Sequence, residues 1–175
     1  MAISPNVKPT LFSDEPAYGW LLRWADMSGY PSGRSLATSL GLILEVVVSG
    51  RANAAIATEA GVDPGTFDRA TFERLSDATT RCAGEILARY DWNPNALRLC
   101  PECVEQDLRL RSKPGESTVH LRSWQMLFHV TACPYHSLRL VDRTKAGEPF
   151  APFSAARPAN APRAASGHAR PGREP

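Results

Sequence analysis

Along the first ninety residues, apolar positions recur mainly at helical spacing. Trp20, Leu21, Trp24 and Met27 share one face of a helix that opens at Asp14-Glu15-Pro16 and stops at Gly29-Tyr30-Pro31. An acidic residue ahead of a first-turn proline is a favourable start, because that proline lacks only a donor the first turn leaves unpaired anyway. The two tryptophans are expected to anchor the core. From Ser32 to Val48, the stripe Leu36, Leu40, Ile43, Leu44 and Val47 predicts one or two more helices, with Gly41 as the break. Ile56, Ala57, Ala60, Gly61, Val62, Phe67 and Ala70 then fit a helix-turn-helix template over about 53–74. In that template a small residue packs between the helices and glycine makes the turn; the second helix is expected around Pro64 to Glu73. A further helix is expected from Asp77 to Tyr90, with Cys82 as a buried apolar filler, ended by Asp91-Trp92-Asn93-Pro94.

The pattern changes after Asn93. Short strands are expected at Leu97 to Leu99 and at Leu138 to Val141, and an apolar run enters at Leu121 and continues to Val130. Cys100-Pro101-Glu102-Cys103 and Cys133-Pro134-Tyr135-His136 follow the first strand and precede the second. Each pair separates its soft ligands by two residues and is tightened by a proline, so each turn aims both ligand atoms at one point. Two such turns complete a tetrahedron, and one zinc held by Cys100, Cys103, Cys133 and His136 is the natural occupant. Four protein ligands leave no position for water, so the expected metal is structural. The halves are 29 residues apart, longer than compact zinc-finger spacings. An inserted segment is therefore expected from Gln106 to Glu116, turning at Lys113-Pro114-Gly115. His120 and His129 are read as polar-tipped residues near the knuckle core rather than as spare ligands.

Several function classes fall away on residues. Zinc deaminases need a His-x-Glu upstream of their Pro-Cys-x-x-Cys element, and here every histidine follows Cys100. The residues offer no acidic triad at plausible spacing and no phosphate-cradling glycine loop, so the chain is not expected to be an enzyme. The greasiest stretch, Gly41 to Val48, carries Glu45 and is far too short to cross a bilayer. With no apolar block after Lys8 to suggest a leader, a reducing cytoplasmic location is expected, which suits thiolate ligands.

The net charge of +2 resides in the last thirty residues, where Arg157, Arg163, Arg170 and Arg173 face Glu148 and Glu174. The preceding body is balanced and does not advertise a general phosphate-backbone binder. Thr66, Arg69 and Arg74 on the expected reader helix and the four tail arginines are the candidate nucleic-acid contacts. Asp63, Asp68 and Glu73 oppose the first group, so weak, nonspecific DNA binding is expected. The expected architecture is mainly α with a small zinc-knuckle α+β module. A helical domain spans 11–93, a zinc-ribbon-like domain spans 94–145, and a tail at 146–175 is too poor in large apolar residues to fold.

These pieces, in this order, resemble the TniQ family of transposon target-selection proteins. Three places carry the resemblance: Pro16-Ala17-Tyr18-Gly19-Trp20-Leu21-Leu22-Arg23-Trp24-Ala25 with Gly29-Tyr30 and Leu40-Gly41-Leu42; Arg98-Leu99-Cys100-Pro101-Glu102-Cys103; and Ser123-Trp124-Gln125 followed by Cys133-Pro134-Tyr135-His136 and the strand Leu138, Leu140, Asp142, Arg143. In the family a second Cys-x-x-Cys-Gly knuckle usually follows. Here that place reads Thr144-Lys145-Ala146-Gly147, so a short form is expected. The resemblance implies a non-enzymatic adaptor that couples a target, defined by DNA or by an RNA-guided complex, to an AAA+ ATPase regulator and thence to the transposase. It also admits a homodimer. From the residues alone, the competing readings are a zinc-containing helix-turn-helix transcription regulator and an inactive truncated remnant.

Overall fold

A computed structural model describes residues 8–93, 98–110 and 119–142 of the protein. Helix α1, Ala17–Met27, is buried on every side; Asp26 alone among its residues is not buried. The expected one-sided stripe is thus a central helix, consistent with its apolar content all round. Trp20 and Trp24 are core residues, as expected, with ring centroids 5.2 Å apart. The start differs from the expected acidic cap. Pro16 occupies the cap position, and the Ala17 N–H donates to Thr71 Oγ1 at 2.9 Å. Glu15 instead turns inward to form a buried fork with Arg23, at 2.6 and 2.7 Å.

Helices α2, Gly33–Ser39, and α3, Leu44–Val48, are separated at Gly41, whose φ of +71° ends α2 without a Cβ penalty. Leu36, Leu44 and Val47 are buried, but Ile43 is 64% exposed. It stands in extended conformation just ahead of α3 and so leaves the stripe.

Helix α4, Asn53–Ala60, ends at left-handed Gly61, as the helix-turn-helix pattern requires. The second helix does not follow. Pro64–Phe67 is a single 3₁₀ turn capped by the Asp63 side chain, and strand β1 begins at Glu73–Arg74. Phe67 and Phe72 are both fully buried. Five residues apart, they would sit roughly 140° apart around an α-helix and could not both face one core. Gly65 and the β-branched Thr66 and Thr71 add poor helix propensity.

Asp77 to Tyr90 is likewise not an α-helix; only its end joins a short 3₁₀ turn, Arg89–Asp91. Strands β2, Thr79–Cys82, and β3, Glu85–Ala88, form a hairpin, giving an antiparallel sheet of order β1-β2-β3. Its two-residue turn, Ala83-Gly84, has φ of +54° and +86°, matching the right-handed twist of the strands. Thr80 and Cys82 point inward while Arg81 points out, the period of a strand with one buried face. Cys82 fills the core as expected, and burial pushes its thiol up to about 11.

Beyond the hairpin, Trp92 stacks on Phe72 at 4.8 Å and donates its indole N–H to Thr80 Oγ1. Strand β4, Arg98–Leu99, pairs antiparallel with β5, Val141–Asp142, while Arg139 makes only a single bridge to Ala132. Between them lie helix α5, Pro101–Arg109, and a 3₁₀ turn at Ser123–Met126. Gln106 is therefore inside a helix and does not open an insert. The expected turn at Lys113-Pro114-Gly115 and the tail from 146 lie outside the described residues. Leu99, Leu121 and Met126 join the core built by α1 to β2, so the apolar interior runs across residue 93. Gly19 marks the close approach: a Cβ there would lie 3.1 Å from Leu121 Cβ. Among the described residues, no helix is long and apolar enough to cross a membrane.

Candidate metal centre

Cys100 caps α5, Pro101 opens it, and Cys103 lies in its first turn. The proline presets the backbone for the first turn and sacrifices no hydrogen bond. Both sulfurs therefore leave the same helix N-terminus. The second turn closes with Ser137 N–H donating to the Cys133 carbonyl and Cys133 N–H to the Leu138 carbonyl, at 2.9 and 2.7 Å. Ser137 takes a φ of +56° to complete it.

Tertiary folding brings the four ligand atoms of Cys100, Cys103, Cys133 and His136 within 4.8 Å of one another. Cys103 Sγ and Cys133 Sγ are 3.7 Å apart, and His136 Nδ1 lies 3.5, 3.4 and 3.4 Å from the sulfurs of Cys100, Cys103 and Cys133. A tetrahedron with zinc's usual bond lengths has sulfur–sulfur edges of about 3.8 Å and sulfur–nitrogen edges of about 3.6 Å. The donor set fits a metal ion in both chemistry and spacing. All four cysteines of the chain are free thiols, and 3.7 Å is far beyond a disulfide bond.

The electrostatics of the thiols divide. Burial opposes ionisation of Cys133, but N–H groups of Tyr135 and His136 outweigh it and bring the thiol down to about 7. Burial pushes Cys103 up to about 12, with the neighbouring sulfurs adding to the rise and Arg122 opposing it. A cation at the centre of the cluster relieves this crowding. Leu140, Trp124 and Val130 cover the sulfurs, and Tyr135 meets the Trp124 ring edge-on. Outside the cluster, His136 Nε2 lies 2.8 Å from the side-chain amide of Gln106, one turn along α5 from Cys103.

Arg98, Asp107 and Arg122 support the site and were not assigned a role from sequence. The Arg98 guanidinium donates to the carbonyls of Gln125, Leu127, Phe128 and Val130, gathering the bend that leads to the second ligand pair. Asp107, buried on α5, accepts two hydrogen bonds from Arg122, at 2.7 and 3.0 Å. His120 lies between Asp107 and Asp14 and stacks on Phe12, with ring centroids 4.0 Å apart. His120 is buried and held by these carboxylates; His129 is exposed and pairs with Asp91 at 3.2 Å. The only signal for these partners was position: Arg98 two before the first cysteine, and Asp107 four after the second.

The candidate nucleic-acid residues do not assemble in the same way. Thr66 and Arg69 are exposed in and just after the 3₁₀ turn, not on a helix. Arg74 is exposed on β1 and ion-paired with Asp77. Arg157, Arg163, Arg170 and Arg173 lie outside the described residues. In comparison with known proteins, the family model described as TniQ matches residues 6–140. No curated protein and no solved structure gives a significant match.

Proposed function

The chain belongs to the TniQ family, and we propose that it is a non-enzymatic adaptor of DNA transposition, linking target-site recognition to an AAA+ ATPase regulator and the transposase. The family match over residues 6–140 carries this reading. In it, Cys100, Cys103, Cys133 and His136 hold one structural zinc. The three-thiolate, one-imidazole donor set supports zinc, because soft ligands in tetrahedral array favour it and no fourth position remains for a substrate. The metal then braces a surface and performs no chemistry.

DNA contact, in the same reading, is weak and nonspecific. Thr66 lies in a short turn and Arg69 just after it, and Arg74 is held by Asp77, which supports the adaptor over a transcription regulator reading a groove with this segment. If the four tail arginines carry the contact, binding to duplex DNA falls with salt at a log–log slope of roughly −3.6. Arg69→Ala leaves it unchanged. Tight, sequence-selective binding abolished by Arg69→Ala overturns the adaptor in favour of the regulator.

The direct test is retention of a cognate AAA+ ATPase regulator on immobilised full-length protein loaded with zinc. Stable, nucleotide-sensitive retention is expected. A purified ATPase that washes through under all nucleotide states sinks the adaptor reading.

A further inference from the structure

His136 is the one ligand with two chemically different faces. Nδ1 points at three sulfurs, 3.4 to 3.5 Å away, and Nε2 points at the Gln106 amide, 2.8 Å away. A metal on Nδ1 requires its lone pair, which leaves the ring proton on Nε2. We infer that Gln106 is a positioning residue for the metal: it selects the Nε2–H form of His136 and fixes the ring plane that presents Nδ1 to the cation. The inference rests on the metal-centre reading above.

The argument turns on what an amide can do. Its two ends have the same shape, so either its N–H₂ or its oxygen can face Nε2. With the nitrogen toward the ring, Gln106 donates to Nε2 and the ring proton resides on Nδ1, against the sulfurs. That arrangement suits the metal-free cluster. With the oxygen toward the ring, Nε2–H donates to Gln106 and Nδ1 is free to ligate. One side chain thus partners both forms by a half-turn of its terminal group, and the metal-bound form gains an outer hydrogen bond of the kind that fixes ligating histidines.

Placement supports a dedicated role. Gln106 stands three residues after Cys103 on α5, so the helix that supplies two sulfurs also sets the outer partner of the nitrogen ligand. Its side chain is exposed and has no packing task to explain its position. Among the described residues, Gln106 is the side chain that meets His136 Nε2 at hydrogen-bond distance.

The test compares full-length protein with Gln106→Leu and Gln106→Glu by competition with a chromophoric zinc chelator. Leucine suits an exposed helix site as well as glutamine does, so folding is not threatened; Glu105→Gln on the same helix serves as a control. Gln106→Leu is expected to weaken zinc binding about 10- to 100-fold, the usual effect of losing a ligand's outer partner. Gln106→Glu, which can only accept, retains affinity. Nitrogen NMR of the zinc-loaded protein should show His136 ligating through Nδ1 with a proton on Nε2, and that proton should exchange faster with water in Gln106→Leu. If wild type binds zinc stoichiometrically but Gln106→Leu matches it within twofold, Gln106 has no positioning role. If wild type binds no zinc at all, the metal-centre reading itself falls, and this inference with it.

Discussion

Asp107 grips Arg122 through both carboxylate oxygens, at 2.7 and 3.0 Å, on the helix whose first turn carries Cys100 and Cys103. Asp107 is 2% exposed, so the pair ties the metal-bearing helix to the segment that leads toward Cys133. A buried pair of this kind contributes little over an apolar substitute, yet removing Asp107 strands positive charge, leaving Arg122 and His120 with the half-buried Asp14 as their shared carboxylate. Asp107→Ala is expected to cost about 3–5 kcal/mol. The double variant Asp107→Leu with Arg122→Met should cost clearly less. Chemical denaturation of the metal-loaded protein measures both, and equal losses in the two variants would refute the stranded-charge account.

His120 gives the same network a pH signature. Burial alone would lower its pKa, but hydrogen bonds to Asp107 and Asp14 outweigh it, and the value stands above the ordinary 6.5. Its contribution is therefore complete below about pH 6.5 and is lost as pH rises through the elevated folded value. For Asp107 and Asp14 burial is again the largest influence. It acts upward, but the partners His120 and Arg122 hold both below the ordinary 3.8. Their contribution is complete above about pH 3.8 and is lost as pH falls through the depressed values. The stability gap between wild type and His120→Phe should be widest from about pH 4 to 6.5 and should narrow above that window. A gap that grows with rising pH contradicts the assignment.

Metal removal should be felt well beyond the ligands. Structural zinc supplies folding free energy on the order of 10 kcal/mol in small domains, and Leu99, Leu121 and Met126 anchor this part of the chain to the main core. Cys103→Ser is expected to abolish stoichiometric zinc, measured by elemental analysis, and to expose amides in 98–110 and 119–142 to rapid hydrogen exchange. Cys82→Ala, which alters only the core filler, should keep the full metal content.

The hairpin turn offers a gain. Ala83 holds a φ of +54° in the left-handed region, which costs an L-residue with a plain Cβ roughly 1–2 kcal/mol. Asparagine tolerates that region, and Asn-Gly is the favoured pair for this turn. Ala83→Asn should stabilise the protein by up to about 1 kcal/mol, read as a higher denaturation midpoint with an unchanged slope. A loss would mean that strain at Ala83 does not limit the turn.

By itself, the sequence determined the features that depend on neighbours in the chain. The α1 stripe of Trp20, Leu21, Trp24 and Met27, the break at Gly41, the turn at Gly61 and the ligand spacings of the two Cys-Pro turns are local chemistry, and each was legible before the structure. The tertiary structure decided what depended on distant partners. Phe67 and Phe72 had to enter one core together, so Pro64 to Glu73 gave up the helix that its small-residue and glycine pattern suggested. Thr79 to Ala88 became a hairpin because Ala83-Gly84 could turn it and β1 was there to pair, whereas residue types alone read as a helix. The metal ligands were named from spacing, but not the groups that aim them. Arg98, Gln106 and Asp107 lie within seven residues of those ligands, and their roles exist only because the chain from 120 to 136 folds back onto α5.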